Sequence, residues 1–346
     1  MRYLKEEEKW KSRDLWEEAF PEDSREFDDY YFREKIKNNR IIVKEEAGRI
    51  ISMAQLNPYL VRVRDREYVL PYIVGVATRK DCRHQGHMRD ILIKMMEDMQ
   101  KEEVPFVFLM PAAEAIYRPF GFRFIFSQPK WKKKKEGLTE RQLSLETLLS
   151  EEGKTDRKWI ASWQQRFLEE RWEVHTVRDE GYIREICGEI ASEAGEWNLL
   201  YDARTGSLVG MESIWGLEKK EQRFLYADSA YTEQAAPDKP AIMARITNVQ
   251  EFLKNVCLKQ DAPEETLSLV LEIKDPLIRE NNGVFQWNLD RNGAVLAVSE
   301  KKPELSMEIE QLAEWLFGRL AADEIPDIRG LSWIRPFQGV FLDEVV

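Results

Sequence analysis

Cysteine and histidine are scarce, with three of each in 346 residues. Cys82, Cys187 and Cys257 are widely spaced and odd in number, which excludes a disulfide framework or a four-cysteine zinc site. A reducing, cytoplasmic setting is the simplest expectation. Long apolar runs are lacking as well. The strongest, near 69–78 and 104–113, are about ten residues, half of what a bilayer span needs. The opening MRYLKEEEKWKSRDLWEEAF has no apolar core of the kind a signal peptide carries. The reading is a soluble chain with no membrane partner. Positive charge is in deficit, 52 Lys+Arg against 63 Asp+Glu for a net of -11, so no broad basic face is available for a nucleic acid. Neither a G-x-G-x-x-G fingerprint nor a Ser-His-Asp arrangement stands out.

What is present is core material and length. An apolar fraction of 43% with 11 Trp and 16 Phe can fill a packed interior, and the chain exceeds the usual domain of about 100–200 residues. Two short helices are expected first, over 13–20 with Ser12 as cap and from Asp23 or Ser24 onward. Strand-like runs follow at 40–44 and 49–56 around an Ala47-Gly48 turn. The run 68–78 (YVLPYIVGVAT) is almost continuously apolar, as a strand covered on both faces would be. Met88, Ile91, Leu92, Met95 and Met99 then mark one face of a helix, and 104–110 reads as another buried strand. Strand, loop, helix and strand make a crossover unit, and its loop at 79–87 is where chemistry is expected. Later strands are read at 243–248, 267–274 and 283–288, with a turn at 202–206 and an amphipathic helix over 307–320. Composition shifts divide the chain into 1–130, 131–236 and 237–346. The lysine-rich QPKWKKKKEG (128–137) is read as a solvated connector, and AAPDK (235–239) as the second boundary.

The loop reverses the sign of the chain: Arg79, Lys80, Arg83 and Arg89 stand against Asp81 alone. A helix start has unpaired N–H groups and partial positive charge, and Gly86 allows a ligand close to the backbone. On the loop alone, solvated surface arginines explain the pattern equally well. The wider pattern, V-x-V-A-T-x-x-x-x-R-x-Q-G before an amphipathic helix, resembles the acetyl-CoA motif of the Gcn5-related N-acetyltransferases. That resemblance implies that Val76, Ala77 and Thr78 line the pantetheine arm. It also implies a pyrophosphate turn of His84, Gln85, Gly86, His87, Met88 and Arg89, with Arg83 as the motif's arginine. Met88 departs from the Gly or Ala that the general family prefers.

Further stretches resemble the enhanced intracellular survival (Eis) subfamily: AAEAIYRPFGF at 112–122, ARITNVQEFL at 244–253, IKDPLIRENNGVF at 273–285, EWLFG at 314–318 and the ending VFLDEVV. The resemblance implies an α/β (α+β) architecture: an acetyl-CoA-binding acetyltransferase domain over 1–130, a reduced second acetyltransferase-like domain over 131–236, and a sterol-carrier-like domain over 237–346. LLYDARTGSLVG (199–210) resembles a hairpin of the second domain. Hexamers among the relatives make a homo-oligomer one expectation here.

The implied activity is direct transfer of acetyl from acetyl-CoA to a primary amine in a ternary complex. The relatives suggest an aminoglycoside- or polyamine-like acceptor, and the acidic remainder of the chain would suit such a cation. Tyr117 matches the subfamily's general acid, although an aromatic-rich turn also accounts for a core tyrosine there. The α-carboxylate of Val346 matches its base; with a reference pKa of about 3.5, it would orient the amine or relay its proton through water. The alternative is a non-catalytic protein that binds acyl-CoA or an apolar ligand on the same scaffold. Cys82, His84 and His87 lack a fourth donor and sit at a helix's positive end, so no metal is expected. His175 is read as a structural strand residue.

Overall fold

The computed structural model describes every residue except 135, 321–323, 325, 327, 329, 345 and 346. The chain opens with β1 (Arg2–Tyr3), α1 (Arg13–Ala19) and α2 (Arg25–Arg33). Ser24 caps α2, its hydroxyl accepting from the Phe27 amide at 3.0 Å. Ser12 makes no such cap; it ends a preceding 3-10 turn and donates to the Lys9 carbonyl. Strands β2 (Arg40–Glu46) and β3 (Arg49–Val63) meet in a two-residue turn in which Ala47 and Gly48 both take positive φ. The buried run becomes β4 (Arg66–Thr78), followed by α3 (His87–Lys101), β5 (Phe106–Leu109) and α4 (Glu114–Tyr117). Of the expected stripe on α3, Ile91, Leu92, Met95 and Met99 are sealed from solvent, with Met96 beside them, while Met88 is half-buried.

The next strand, β6 (Arg123–Lys133), takes in most of the run expected to be a connector. Two of the three carboxylates that meet its lysines lie about eighty to a hundred residues downstream, so a local charge count misses them. Lys132 meets Glu233 at 3.1 Å, and Lys133 meets both Glu140 and Glu212. After β6 come β7 (Leu138–Leu143), α5 (Leu145–Leu149), α6 (Lys154–Glu169), β8 (Val174–Thr176), α7 (Glu180–Ser192), β9 (Glu196–Asp202), β10 (Leu208–Trp215) and β11 (Glu221–Ala227). Strands β11-β10-β9-β7 form an antiparallel sheet, with the expected turn between β9 and β10 held by Asp202. The chain then returns through β12 (Thr232–Ile246), which lies between β5 and β6 in the first sheet. Residues 134–231 are therefore an insertion between two neighbouring strands. β12 runs unbroken through 236/237, where the sequence suggests a boundary. Pro237, within the AAPDK that suggests it, falls where the β12–β6 register shifts, and Pro240 borders a second shift.

The last part contains α8 (Val249–Leu253), β13 (Cys257–Leu258), β14 (Thr266–Lys274), β15 (Gly283–Asp290), β16 (Ala294–Val298), β17 (Leu305–Glu308), α9 (Ile309–Leu316), β18 (Ile334–Arg335) and β19 (Val340–Phe341). Strands β16-β15-β14-β17 form its sheet, with α9 shorter than expected because 305–308 pairs with β14 and Gly318 turns at positive φ. Trp287 and Trp315 meet edge to face at 6.3 Å inside this unit. β8 pairs with β3, and β19 pairs with β8, so both later parts extend the first sheet. One hydrophobic cluster accordingly joins all three parts, from Tyr59 and Phe106 through Trp197 to Trp287 and Phe341. His175 sits within β8, buried, with Trp172 and Gln165 against its two ring nitrogens. Among the described residues no helix is long and apolar enough to cross a membrane.

Candidate acyl-transfer site

β4 pairs with β3 along its length but meets β5 at one residue pair, Tyr72 with Phe108. Just beyond, the β3–β4 register shifts: Gln55 faces Val74, while Met53 faces Ala77. Gly75 occupies this bulge at φ +59. A β-carbon there would lie 2.5 Å from the Trp16 ring, so both the backbone conformation and the space require glycine. The bulge separates the end of β4 from β5. Val76, Ala77 and Thr78 follow it along an edge of β4 that has no strand on the β5 side. Ala77 is buried, Val76 is half-buried, and the Thr78 hydroxyl lies 2.8 Å from that of Ser52.

The turn leads from this opening to the start of α3. His84 and Gly86 both have positive φ, and no side chain caps the helix. Its first amides therefore have no intrahelical acceptor and face out with the positive end of the helix dipole. Arg83, His84, Gln85, Gly86 and Arg89 are exposed around them, and Arg83 is braced by the Thr78 carbonyl at 3.1 Å. Two expected members turn inward. His87 is buried with Nδ1 2.9 Å from the Lys44 amine, and Met88 packs on the core beneath α3. Their side chains do not face the opening; only their amides are placed there. Arg79, counted among the loop's positive charges, is also inward. It is buried against Asp14, Glu18 and the Ile50 carbonyl. Among the described residues no three His, Cys, Asp or Glu side chains group as metal ligands do.

Tyr117 ends α4. Its ring meets Phe122 edge-on at 5.8 Å, and burial pushes its phenol up to about 12. The following turn is pinned by Arg245, a side chain that the sequence reading passed over. Arg245 is buried on β12, donates to the Phe120 carbonyl at 2.9 Å and pairs with buried Asp275 at 2.6 Å. Gly121 gives it room, since a β-carbon there would stand 2.7 Å from its Nε. The available signal was a lone arginine in the apolar run AIMARITNV.

A cavity of about 1000 Å³ opens beside the segment that leads into α4, Met110 to Glu114. Aromatic rings line it, including Phe124, Phe126, Trp131, Phe167, Trp172 and Tyr226. Acidic walls suited to a polycation are not found: six basic side chains line the cavity against four acidic ones. Asp343 reaches it from the C-terminal segment. Val346 itself lies outside the described residues, but the approach to it is firmly held. Arg178 bonds Asp343 at 2.6 Å and Glu344 at 3.0 Å, with all three side chains buried. Tyr226 donates to Asp343, Tyr182 donates to Glu344, and Arg223 donates to the Asp343 carbonyl. Burial opposes the charge on Arg178, yet the surrounding phenols and carboxylates raise its pKa.

The profile of the acetyltransferase (GNAT) domain matches residues 1–125, the part that holds the bulge, the turn and Tyr117. The chain carries a GNAT acetyltransferase domain. A sterol carrier protein domain matches residues 249–335. Solved structures agree with this GNAT fold over almost the whole length. A GCN5-related N-acetyltransferase from Anabaena variabilis is 13% identical, with 99% of each chain covered and a TM-score of 0.74. Eis1 from Mycobacterium abscessus is 11% identical, with 99% of each chain covered and a TM-score of 0.69. A conserved protein of unknown function from Enterococcus faecalis V583 is 16% identical, covering 96% of this chain and 93% of its own at a TM-score of 0.75. No curated protein matches the sequence. The GNAT domain makes this chain an acyltransferase.

Proposed function

We propose that this GNAT protein transfers an acetyl group from acetyl-CoA to a primary amine. One observation carries the reading. The opening after Gly75 leads to the uncapped start of α3, and an aromatic cavity lies beside Met110–Glu114, the segment that leads into the helix ending at Tyr117. The pyrophosphate rests on the amides at the start of α3, Arg83 and Arg89 stand beside it, and the pantetheine arm follows the free edge of Val76–Thr78. The thioester then lies where β4 and β5 part, and the amine approaches from the cavity.

The amine lone pair attacks the thioester carbonyl. As the tetrahedral intermediate collapses, the C–S bond breaks and the nitrogen gives up a proton. Tyr117 is protonated throughout the neutral range because burial holds its pKa near 12. It donates its O–H to the departing thiolate, a role worth typically 10²–10⁴-fold. The α-carboxylate of Val346 has the role of orienting the amine or relaying its proton through water. The alternative is an apolar-ligand carrier, whose sterol-carrier unit holds Trp287 and Trp315 buried against each other. Thiol release from acetyl-CoA with a panel of primary amines tests the proposal. Turnover with at least one acceptor is expected; acetyl-CoA binding without transfer to any of them would favour the carrier.

A further inference from the structure

The cavity's charges are unevenly spent, and this bears on which amine it takes. Each of its four carboxylates is already held by a basic side chain. Glu114 meets Arg118 at 2.5 Å, Glu221 meets Lys219 at 2.8 Å, Asp228 meets Arg171 at 2.5 Å and Asp343 meets Arg178 at 2.6 Å. Each lining carboxylate already has a counter-charge, which a cationic ligand would have to share or displace. The basic side chains are not all spent. Lys130 and Lys239 line the cavity, are exposed, and make no ion pair with any described residue. The positive field of Lys130 reaches Glu221, but that carboxylate is bonded to Lys219.

Strand geometry places these two lysines together. Lys239 on β12 stands opposite Gln128 on β6, and Lys130 is two residues further along β6. Gln128 and Lys130, two apart on β6, share a face, and Lys130 stands opposite Ala236 across a register shift, so both lysines border the cavity on one irregular stretch of the β6–β12 pair. Two ammonium groups that border one cavity without a counter-ion of their own can share an anion between them. Phe126, on the same face of β6 as Lys130, and Phe167 and Trp172 also line the cavity and offer flat apolar surface.

We infer that the acceptor is an amine with an aromatic body that carries a carboxylate, held between Lys130 and Lys239, and is not a polycation. The inference rests on the proposed acetyl transfer for the amine's role. It rests on the cavity alone for the anion.

The test uses 4-(aminomethyl)benzoate, its neutral carboxamide and spermidine, with the full-length chain at low ionic strength. Binding is read from tryptophan fluorescence without cofactor, and transfer from thiol release with acetyl-CoA. The carboxylate should bind at least ten-fold more tightly than the amide and show the highest kcat/KM. In a Lys130→Gln, Lys239→Gln double variant the preference should shrink to within three-fold. Equal or tighter binding of the amide or spermidine, or an undiminished preference in the double variant, overturns the inference. Preferential binding without any thiol release leaves the anion site standing and removes the transfer reading. Fastest turnover with spermidine does the reverse.

Discussion

Replacing Gly75 with alanine probes the feature that opens the site. Its φ of +59 is one that an L side chain adopts at a cost of about 1–2 kcal/mol. The added methyl would also stand 2.5 and 2.9 Å from two carbons of the Trp16 ring. That ring cannot swing away: it is 2% exposed and stacks on Tyr31 at 4.6 Å. Overpacking of this kind costs about 1–3 kcal/mol, so the total is about 2–5 kcal/mol. Urea unfolding measures it, with acetyl-CoA titration calorimetry beside it. Straightening β4 would close the gap to β5, so cofactor affinity should fall several-fold in whatever protein remains folded. Adding Trp16→Leu to Gly75→Ala should recover the steric part but not the backbone part, a coupling of about 1–3 kcal/mol. A Gly75→Ala cost below about 1 kcal/mol would refute the reasoning, because the bulge would then not depend on the missing side chain.

Other consequences are as direct. Arg178→Met leaves Asp343 and Glu344 buried without their counter-charge and should cost about 3–5 kcal/mol in denaturant; a loss under 1 kcal/mol would contradict the clasp. Asp23, held partly buried beside Asp28, has its carboxyl pushed up to about 6. A folded pKa above the unfolded value means that stability falls as pH rises from about 4 to 6. Because the side chain is partly solvated, Asp23→Asn should stabilise by only about 1 kcal/mol at pH 7.5. It should do nothing at pH 3.5, and an equal effect at both would remove the assignment. Deleting Val346 should depress turnover far more than acetyl-CoA affinity, and unchanged turnover takes the carboxylate out of the mechanism.

The elements legible in the sequence are those specified by neighbours along the chain. The alternation and apolar runs of β2 to β5, the stripe on α3 and the Ser24 cap are local patterns that tertiary contacts reinforce. What escaped depends on partners far away. The lysines after Gln128 look solvated until β12 and β10 bring Glu233 and Glu212 beside them. Arg79 looks like a phosphate ligand until α1 supplies Asp14 and Glu18. His87 and Met88 share the turn's motif with Arg89, but helix periodicity points them inward once α3 packs. Arg245 and Asp275, thirty residues apart, are unremarkable singly and become a pin for the Tyr117 turn only when β12 returns to the first sheet. Prolines that read as a boundary instead mark irregularities within one strand.

The most direct test of the account is calorimetry of acetyl-CoA on wild-type protein and Tyr117→Phe, followed by thiol release with a competent acceptor. The account predicts one acetyl-CoA per chain, bound equally by both proteins, with turnover in the variant lowered by about 10²-fold or more. Absence of saturable acetyl-CoA binding to the wild-type chain would contradict it at its centre.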